Sequence, residues 1–440
     1  MTYKKKMKEQ FRLCNDWLVK RLDTVIPLVM ERTDSDMWIV IGSENNEDPV
    51  LKTMLPQEFF GAVGKNILVF CKLPDGKVDR LTVSRPLSAI DYYYKPVWYK
   101  QKGKDWKSYY EWMNTQNRFI SVNLDNYEEE TEWECLNRIV REYKPKSIGL
   151  NYSKRTKFAD GISHSEYTQI KECLDNEYKD KITSADLLAV GWLETRIKEE
   201  IEYYEELTNI AQSLIKRAYS REVIEVGKTT SGDVRWFLMQ EATDLGLKPW
   251  FEATVWINRE GVKGLDHSAV IEYGDLLHCD FGVQYMGLCT DIQEMCYILK
   301  PNETDIPSGI LKGQAQANRL QDILAEEMTC GLTGNDVFEA TIKRAKSEGM
   351  KPSVYTHPIG FHGHGAGPLI GLFTAQKPIP RGDRILYANT MYSFELNVTA
   401  SIDEWNGQEV MYGLETDCLL REDNTIHYFG KRLMKPHIIK

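Results

Sequence analysis

The chain has 440 residues, 42% of them hydrophobic and 27% charged, a globular composition long enough for two or three domains. Its formal net charge of −10 offers no basic footprint for nucleic acid or for an anionic membrane surface, and neither is expected as a partner. No apolar run reaches the ~18 residues that a membrane helix needs. The basic start, MTYKKKMKEQF, lacks the apolar segment of a secretory signal. The nine cysteines show no CxxC spacing and several lie in apolar runs, which predicts reduced core thiols and a cytoplasmic protein.

In chain order, residues 3–32 predict a helix with Phe11, Trp17, Leu18, Leu22 and Ile26 among its apolar positions. Strands are expected at 36–41, 66–72, 79–84, 118–122 and 147–150, and helices at 127–143 and 165–174. This alternation predicts a smaller α/β domain over residues 1–183, without a catalytic cluster. Lys100–Asp105 reads as a solvated loop. From residue 184 to 440 the pattern changes. Ser184 can cap a helix over 185–193, and longer helices are expected from Ile197 to Leu214, over 231–243, 307–328 and 335–347. The remainder reads as strands and glycine-rich turns, so this half is an α+β domain with a largely antiparallel sheet.

The most informative stretch is GDLLHCDFGVQYMGLCTDIQEM, Gly274 to Met295. Leu276, His278 and Asp280 share one strand face. With a turn centred on Tyr285-Met286, Asp280 faces Asp291 across a hairpin, at roughly 4.5–5.5 Å between Cβ atoms. Two carboxylates so close repel unless a cation lies between them. Three further stretches carry histidines or acids in strand contexts: His357-Pro-Ile-Gly-Phe-His362-Gly-His364-Gly-Ala-Gly, Glu395 in MYSFELNV, and Glu415 in VMYGLETD. A kinase reading of Asp280-Phe-Gly fails for want of an HRD or VAIK-like stretch. No P-loop, GxGxxG fingerprint or G-x-S-x-G elbow is present.

Asp280, Asp291, His364, Glu395 and Glu415, in that order, resemble the ligands of the pita-bread metallopeptidases: methionine aminopeptidase, prolidase and aminopeptidase P. CDFG is similar to the first aspartate's motif, GLCTD to the second, GHGAG to the GHGIG-like turn, FEL to the TxEPG-like strand and GLETD to the RIEDD-like strand. The resemblance covers about residues 185–430. It implies a pita-bread catalytic domain behind a smaller N-terminal domain of the prolidase and aminopeptidase P branch. It also implies Glu395 as proton shuttle and ligand, a short peptide as substrate and a homodimer. The donor set fits two divalent ions, manganese or cobalt foremost, with zinc or iron(II) as further candidates. The function expected is a metal-dependent exopeptidase acting on short peptides, Xaa-Pro peptides among them. The alternatives are hydrolysis of another C–N bond, as in the metal-free creatinase branch, and a non-catalytic peptide-binding module.

Three departures accompany this resemblance. The family's upstream histidine falls on His267, only thirteen residues before Asp280. The histidine that follows the GHGIG-like turn by seven residues falls on Gly371. The TRT-like tail after the second aspartate is Gln293-Glu294-Met295. A neighbouring histidine is expected to replace the missing donor, His362 first and His357 second.

Overall fold

The computed structural model describes residues 5–62, 64–84, 90–98 and 130–440. The expected strand at 118–122, the loop at 100–105 and the start of the helix at 127 lie outside these residues. The chain forms two compact units, Met7–Trp192 and Leu193–Lys440, the latter including Lys5 and Lys6. The division falls at Trp192–Leu193, inside a helix, nine residues beyond position 183.

The first unit holds a six-stranded mixed sheet of order β4-β3-β2-β1-β5-β6. Its strands are β1 (Met37–Ser43), β2 (Lys65–Lys72), β3 (Val78–Val83), β4 (Lys95–Pro96), β5 (Ile148–Leu150) and β6 (Ile182–Ser184). Its helices among the described residues are α1 (Met7–Arg32), α2 (Pro49–Met54), α3 (Glu132–Tyr143), α4 (His164–Cys173), α5 (Asn176–Lys179) and α6 (Asp186–Glu194), the last of which crosses the division. In α3 a capping box, Thr131 with Glu134, satisfies the first free N–H groups. Cys135, Leu136, Ile139 and Val140 then share the buried face and pack with Ile39, Ile67 and Val69 of the sheet.

The second unit contains α7 (Lys198–Ala218), α8 (Ser231–Asp244), α9 (Ser308–Glu327) and α10 (Gly334–Ser347). Three sheets accompany them. The four-stranded sheet has the order β20-β12-β9-β8: β8 (Thr254–Asn258), β9 (Leu276–Phe281), β12 (Ile292–Ile298) and β20 (His437–Ile439). The three-stranded sheet joins β7 (Lys248–Pro249), β10 (Val283–Tyr285) and β11 (Leu288–Cys289). The largest contains β13 (Pro352–Ile359), β14 (Ile370–Gly371), β15 (Thr390–Ser393), β16 (Leu396–Ile402), β17 (Gln408–Leu414), β18 (Asp417–Leu420) and β19 (Ile426–Tyr428). All pairings in this unit are antiparallel except β12 with β20, so the expected α+β character is present.

Helix α9 covers the large sheet with Ile310, Ala317, Leu320, Ile323 and Leu324, all in one core with Leu396, Val398 and Tyr412. The approach is closest at Gly313. A Cβ there would stand 2.2 Å from the Tyr412 ring. Alanine gains at most ~1 kcal/mol of helix propensity over glycine. Overpacking a rigid ring in a closed core typically costs about 1–3 kcal/mol. Gly313→Ala is therefore expected to destabilise the protein in urea unfolding, and a stabilised variant would refute this account of the helix–sheet contact.

Candidate metal centre

The hairpin that carries both aspartates pairs differently from the sequence expectation. Its turn is Met286-Gly287, with φ of +50° and +80°, the left-handed pair that a two-residue hairpin of this hand requires. Tyr285 then pairs with Leu288, and in the longer ladder Asp280 lies opposite Gln293, not opposite Asp291. Gly282 and Thr290–Asp291 interrupt the ladder. At Gly282 a Cβ would meet the Trp250 indole at 2.3 Å, so the indole occupies the side-chain space. Asp291, released from strand pairing, donates its backbone N–H to Asp417 Oδ2 at 3.1 Å.

Three of the acids sit at comparable interruptions. Asp291 lies between β11 and β12, Glu395 between β15 and β16, and Glu415 between β17 and β18. The expectation of a continuous strand from Met391 to Val398 is thus replaced by a break at Phe394–Glu395. At each break the chain passes from one ladder to another, and the acid stands where the ladders meet. Gln293 and Glu415 bridge the two larger sheets through reciprocal backbone hydrogen bonds of 3.2 Å.

The result is one cluster of acids with two histidines. Asp280, Asp291 and Glu415 each offer an oxygen within 4.8 Å of the others. The same limit holds for His357 with Glu395 and Glu415, and for Asp291 with His357 and His364. His357, fully buried at the end of β13, places Nε2 at 3.5 Å from Glu415, 3.8 Å from Asp291 and 3.9 Å from Glu395. Its Nδ1 lies 3.1 Å from the Pro358 carbonyl, which fixes the ring with Nε2 facing the acids. Burial lowers its pKa to about 4, so the ring is a neutral ligand type at physiological pH.

His364 stands at the rim. Its ring is 4.7 Å from that of His357 and 5.4 Å from that of Trp250, and its pKa is likewise lowered to about 4 by burial. His362 and His267 do not join these groups. The segment from Gly360 to Pro368 is a series of bends, so the alternation expected to put His362 and His364 on one face does not apply. His362 lies beside Arg196, whose charge adds to burial in lowering its pKa to about 4. His267 packs against Trp256 at 5.5 Å between rings. Gly371 pairs with Tyr355 in β14 and has φ +76°. A Cβ there would fall 2.2 Å from the Val354 carbonyl oxygen, so the position is a tight crossing with no room for a histidine.

Residues to which the sequence assigns no role complete the surroundings. Ser393 donates to Glu415 Oε1 at 2.6 Å, and Tyr204 donates to Asp417 Oδ2 at 2.8 Å. Gln293 donates to Glu395 Oε1 at 3.2 Å. The signal for His278 was its strand alternation with Asp280. For Asp417 it was the two-residue offset from Glu415.

A cation fits this arrangement. Asp280 Oδ1, Asp291 Oδ1 and His357 Nε2 are buried without a hydrogen-bond partner, a costly state for polar atoms unless another group satisfies them. Burial first, and then the neighbouring carboxylates, push the carboxyls of Asp280, Asp291 and Glu395 well above the usual range, and burial does the same to Glu415. Four acids in such a site ionise together only if positive charge is supplied.

Antiparallel sheets meeting around clustered carboxylates and histidines define a pita-bread hydrolase fold with a metal-type donor set. The model of metallopeptidase family M24 matches residues 202–422, half of the chain, and the chain belongs to that family. It is a peptidase of this class. No curated protein sequence matches the chain. Among solved structures it is similar to an X-Pro aminopeptidase from Thermotoga maritima, at 17% identity and TM-score 0.60, covering 93% of this chain and 99% of that one. It is also similar to a dipeptidase from Mycobacterium ulcerans, at 12% identity and TM-score 0.57, covering 96% and 98%. An Xaa-Pro dipeptidase from Bacillus anthracis has 17% identity and TM-score 0.55, covering 96% and 99%.

Raised carboxyl pKa values make the metal-free fold depend on pH in a defined direction. The folded site retains protons that the unfolded chain releases near pH 4–5; the histidines that burial keeps neutral give an opposite slope that ends near pH 6.5, so stability falls as pH rises through neutrality. The chelated protein is expected to melt at a lower temperature at about pH 8 than at about pH 6. Added Mn²⁺ should remove most of the difference. A chelated protein whose melting temperature rises over this interval would contradict the assignment.

Proposed function

We propose that the chain is an exopeptidase that uses two divalent ions, manganese or cobalt foremost, to hydrolyse short peptides, Xaa-Pro peptides among them. The observation that carries this reading is the cluster of four carboxylates, three of them around His357, in which Asp280 Oδ1, Asp291 Oδ1 and His357 Nε2 are buried without a hydrogen-bond partner. Asp280, Asp291, His357, Glu395 and Glu415 would hold the ions. This reading moves the ligand role from His364 to His357. It is supported by the three acid contacts of His357, and by spacing. His364 follows His357 by seven residues, the interval at which the family's second histidine follows its ligand. On this register no donor is missing, and Gly371 needs no replacement.

Bound ions supply a water acidified to near neutrality and a polarised carbonyl. Glu395 keeps 23% of its side chain exposed, which lets its carboxyl exchange a proton with bound substrate. His364, neutral and at the rim, can donate an N–H to the oxygen that becomes negative as the carbonyl is attacked. Arg381 donates to the Gly365 carbonyl at 3.0 Å and forms no ion pair among the described residues. Its charge is felt at both His357 and His364. A guanidinium so placed can take the free carboxylate of a short peptide, which supports a preference for dipeptides. The nine free cysteines support a reducing, cytoplasmic setting.

The test is a panel of dipeptides and tripeptides, free and C-terminally amidated, with Mn²⁺, Co²⁺ or Zn²⁺ restored after chelation. Cleavage of free dipeptides with Mn²⁺ or Co²⁺ is expected, whereas metal binding without any cleavage would favour a peptide-binding module. Asp291→Asn should lose metal and hydrolysis together. His357→Ala should lose metal, while His364→Ala should keep it and lose about 10²–10³ in turnover, as for loss of one oxyanion donor. The reverse pattern would return the ligand role to His364. Arg381→Met should raise KM for free dipeptides by about tenfold or more, the scale of one charged hydrogen bond, and leave amidated peptides unaffected.

A further inference from the structure

We infer that Gln293 is a positioning residue that sets Glu395 and Glu415 relative to each other, and that His278 orients it. The inference rests on the metal-centre reading above.

Gln293 touches both glutamates by different means. Its backbone N–H donates to the Glu415 carbonyl and its own carbonyl accepts from the Glu415 N–H, each at 3.2 Å. Its side-chain Nε2 donates to Glu395 Oε1 at 3.2 Å. One residue of the four-stranded sheet thereby links the two breaks of the large sheet at which these acids stand. The amide has a chemically distinct front and back, and only one orientation serves. With the oxygen forward it would confront the Glu395 carboxylate. His278 prevents this, since its Nε2 lies 3.0 Å from Gln293 Oε1 and donates there in the matching tautomer. The donor end of the amide is then left for Glu395.

The niche around this pair is built for it. Gln293 is 7% exposed and His278 5%. Above them passes Gly413 of β17, where a Cβ would stand 2.6 Å from His278 Nε2 and 3.0 Å from Gln293 Oε1. The backbone can cross here only because the residue is glycine. His278 and Asp280 share a strand face, and Gln293 is the cross-strand partner of Asp280. The pair therefore belongs to the surface that carries the acids. Gln293 occupies part of the segment in which this chain departs from the TRT-like tail, and it reaches Glu395 with a longer, two-ended side chain.

The experiment measures Mn²⁺ dissociation constants by calorimetry on the full chain, for Gln293→Met, His278→Phe and the double variant, with the melting temperature of each metal-free protein alongside. Outer partners of metal ligands typically contribute about 10–100-fold to affinity. Each single variant is expected to weaken Mn²⁺ binding on that scale. The double variant is expected to be little worse than Gln293→Met, because His278 acts through the amide. A purely structural role would lower the metal-free melting temperature and leave the dissociation constant unchanged. That outcome, or fully additive losses, would overturn the inference. If Gln293→Met does not fold, His278→Phe alone decides, since unchanged Mn²⁺ binding there overturns the proposal. An unsubstituted protein that binds no Mn²⁺ would overturn the metal reading and this inference with it. A protein that binds Mn²⁺ but cuts no peptide would overturn only the peptidase reading.

Discussion

Mutual repulsion among buried carboxylates is the constraint around which the second unit is built. Asp280, Asp291, Glu395 and Glu415 come from four separate places in the chain, and the fold brings their oxygens together in a site largely closed to water. In water such acids would avoid one another, and in a low dielectric the penalty grows. The surrounding structure answers with donors. Ser393 and Gln293 each give a hydrogen bond to a glutamate, and the Asp291 backbone is anchored on Asp417, itself held by Tyr204. None of these donors carries a charge. They fix positions while leaving the negative potential of the site intact, which is the condition for attracting divalent ions over peptide groups.

The strand breaks give this arrangement its geometry. A residue inside a regular ladder has its side-chain direction set by the pleat, and its neighbours two residues away point the same way. A residue at the junction of two ladders is freed from that alternation and is fixed by both sheets at once. Asp291, Glu395 and Glu415 use this freedom. Asp280 and His357 stay within their strands and contribute from the pleated surface. The site thus combines two side chains of regular strand direction with three that no single strand could present together.

This explains what the sequence made legible. The order of the acids, the helices over 308–327 and 334–347 and the α+β class follow from periodicity and spacing, which are local properties. The register of the hairpin differs from the sequence expectation because the turn falls on Met286-Gly287, one residue later than Tyr285-Met286, and this moves every cross-strand partner by two. The histidines were the harder case. His364 sits in GHGAG, the closer match by letters, whereas His357 sits in THPIG, where proline follows the histidine. The proposal of His357 as the ligand rests on the three-dimensional arrangement, which puts His357 at the buried end of β13 and His364 on a bend at the rim. Gly371 looked like a deletion of function and is a backbone crossing. Gln293 and His278 could not be ranked from sequence because their importance lies in the direction of one amide.

The bridge between Gln293 and Glu415 also bears on how the protein comes to be folded. It joins positions more than a hundred residues apart, and the paired strands on each side must exist before it can close. Contacts of such sequence separation are entropically expensive to form early, and chains rich in them fold slowly. The acids are thus held together by contacts of long sequence separation, as α9 is held on the large sheet, so the site exists only in the completed fold.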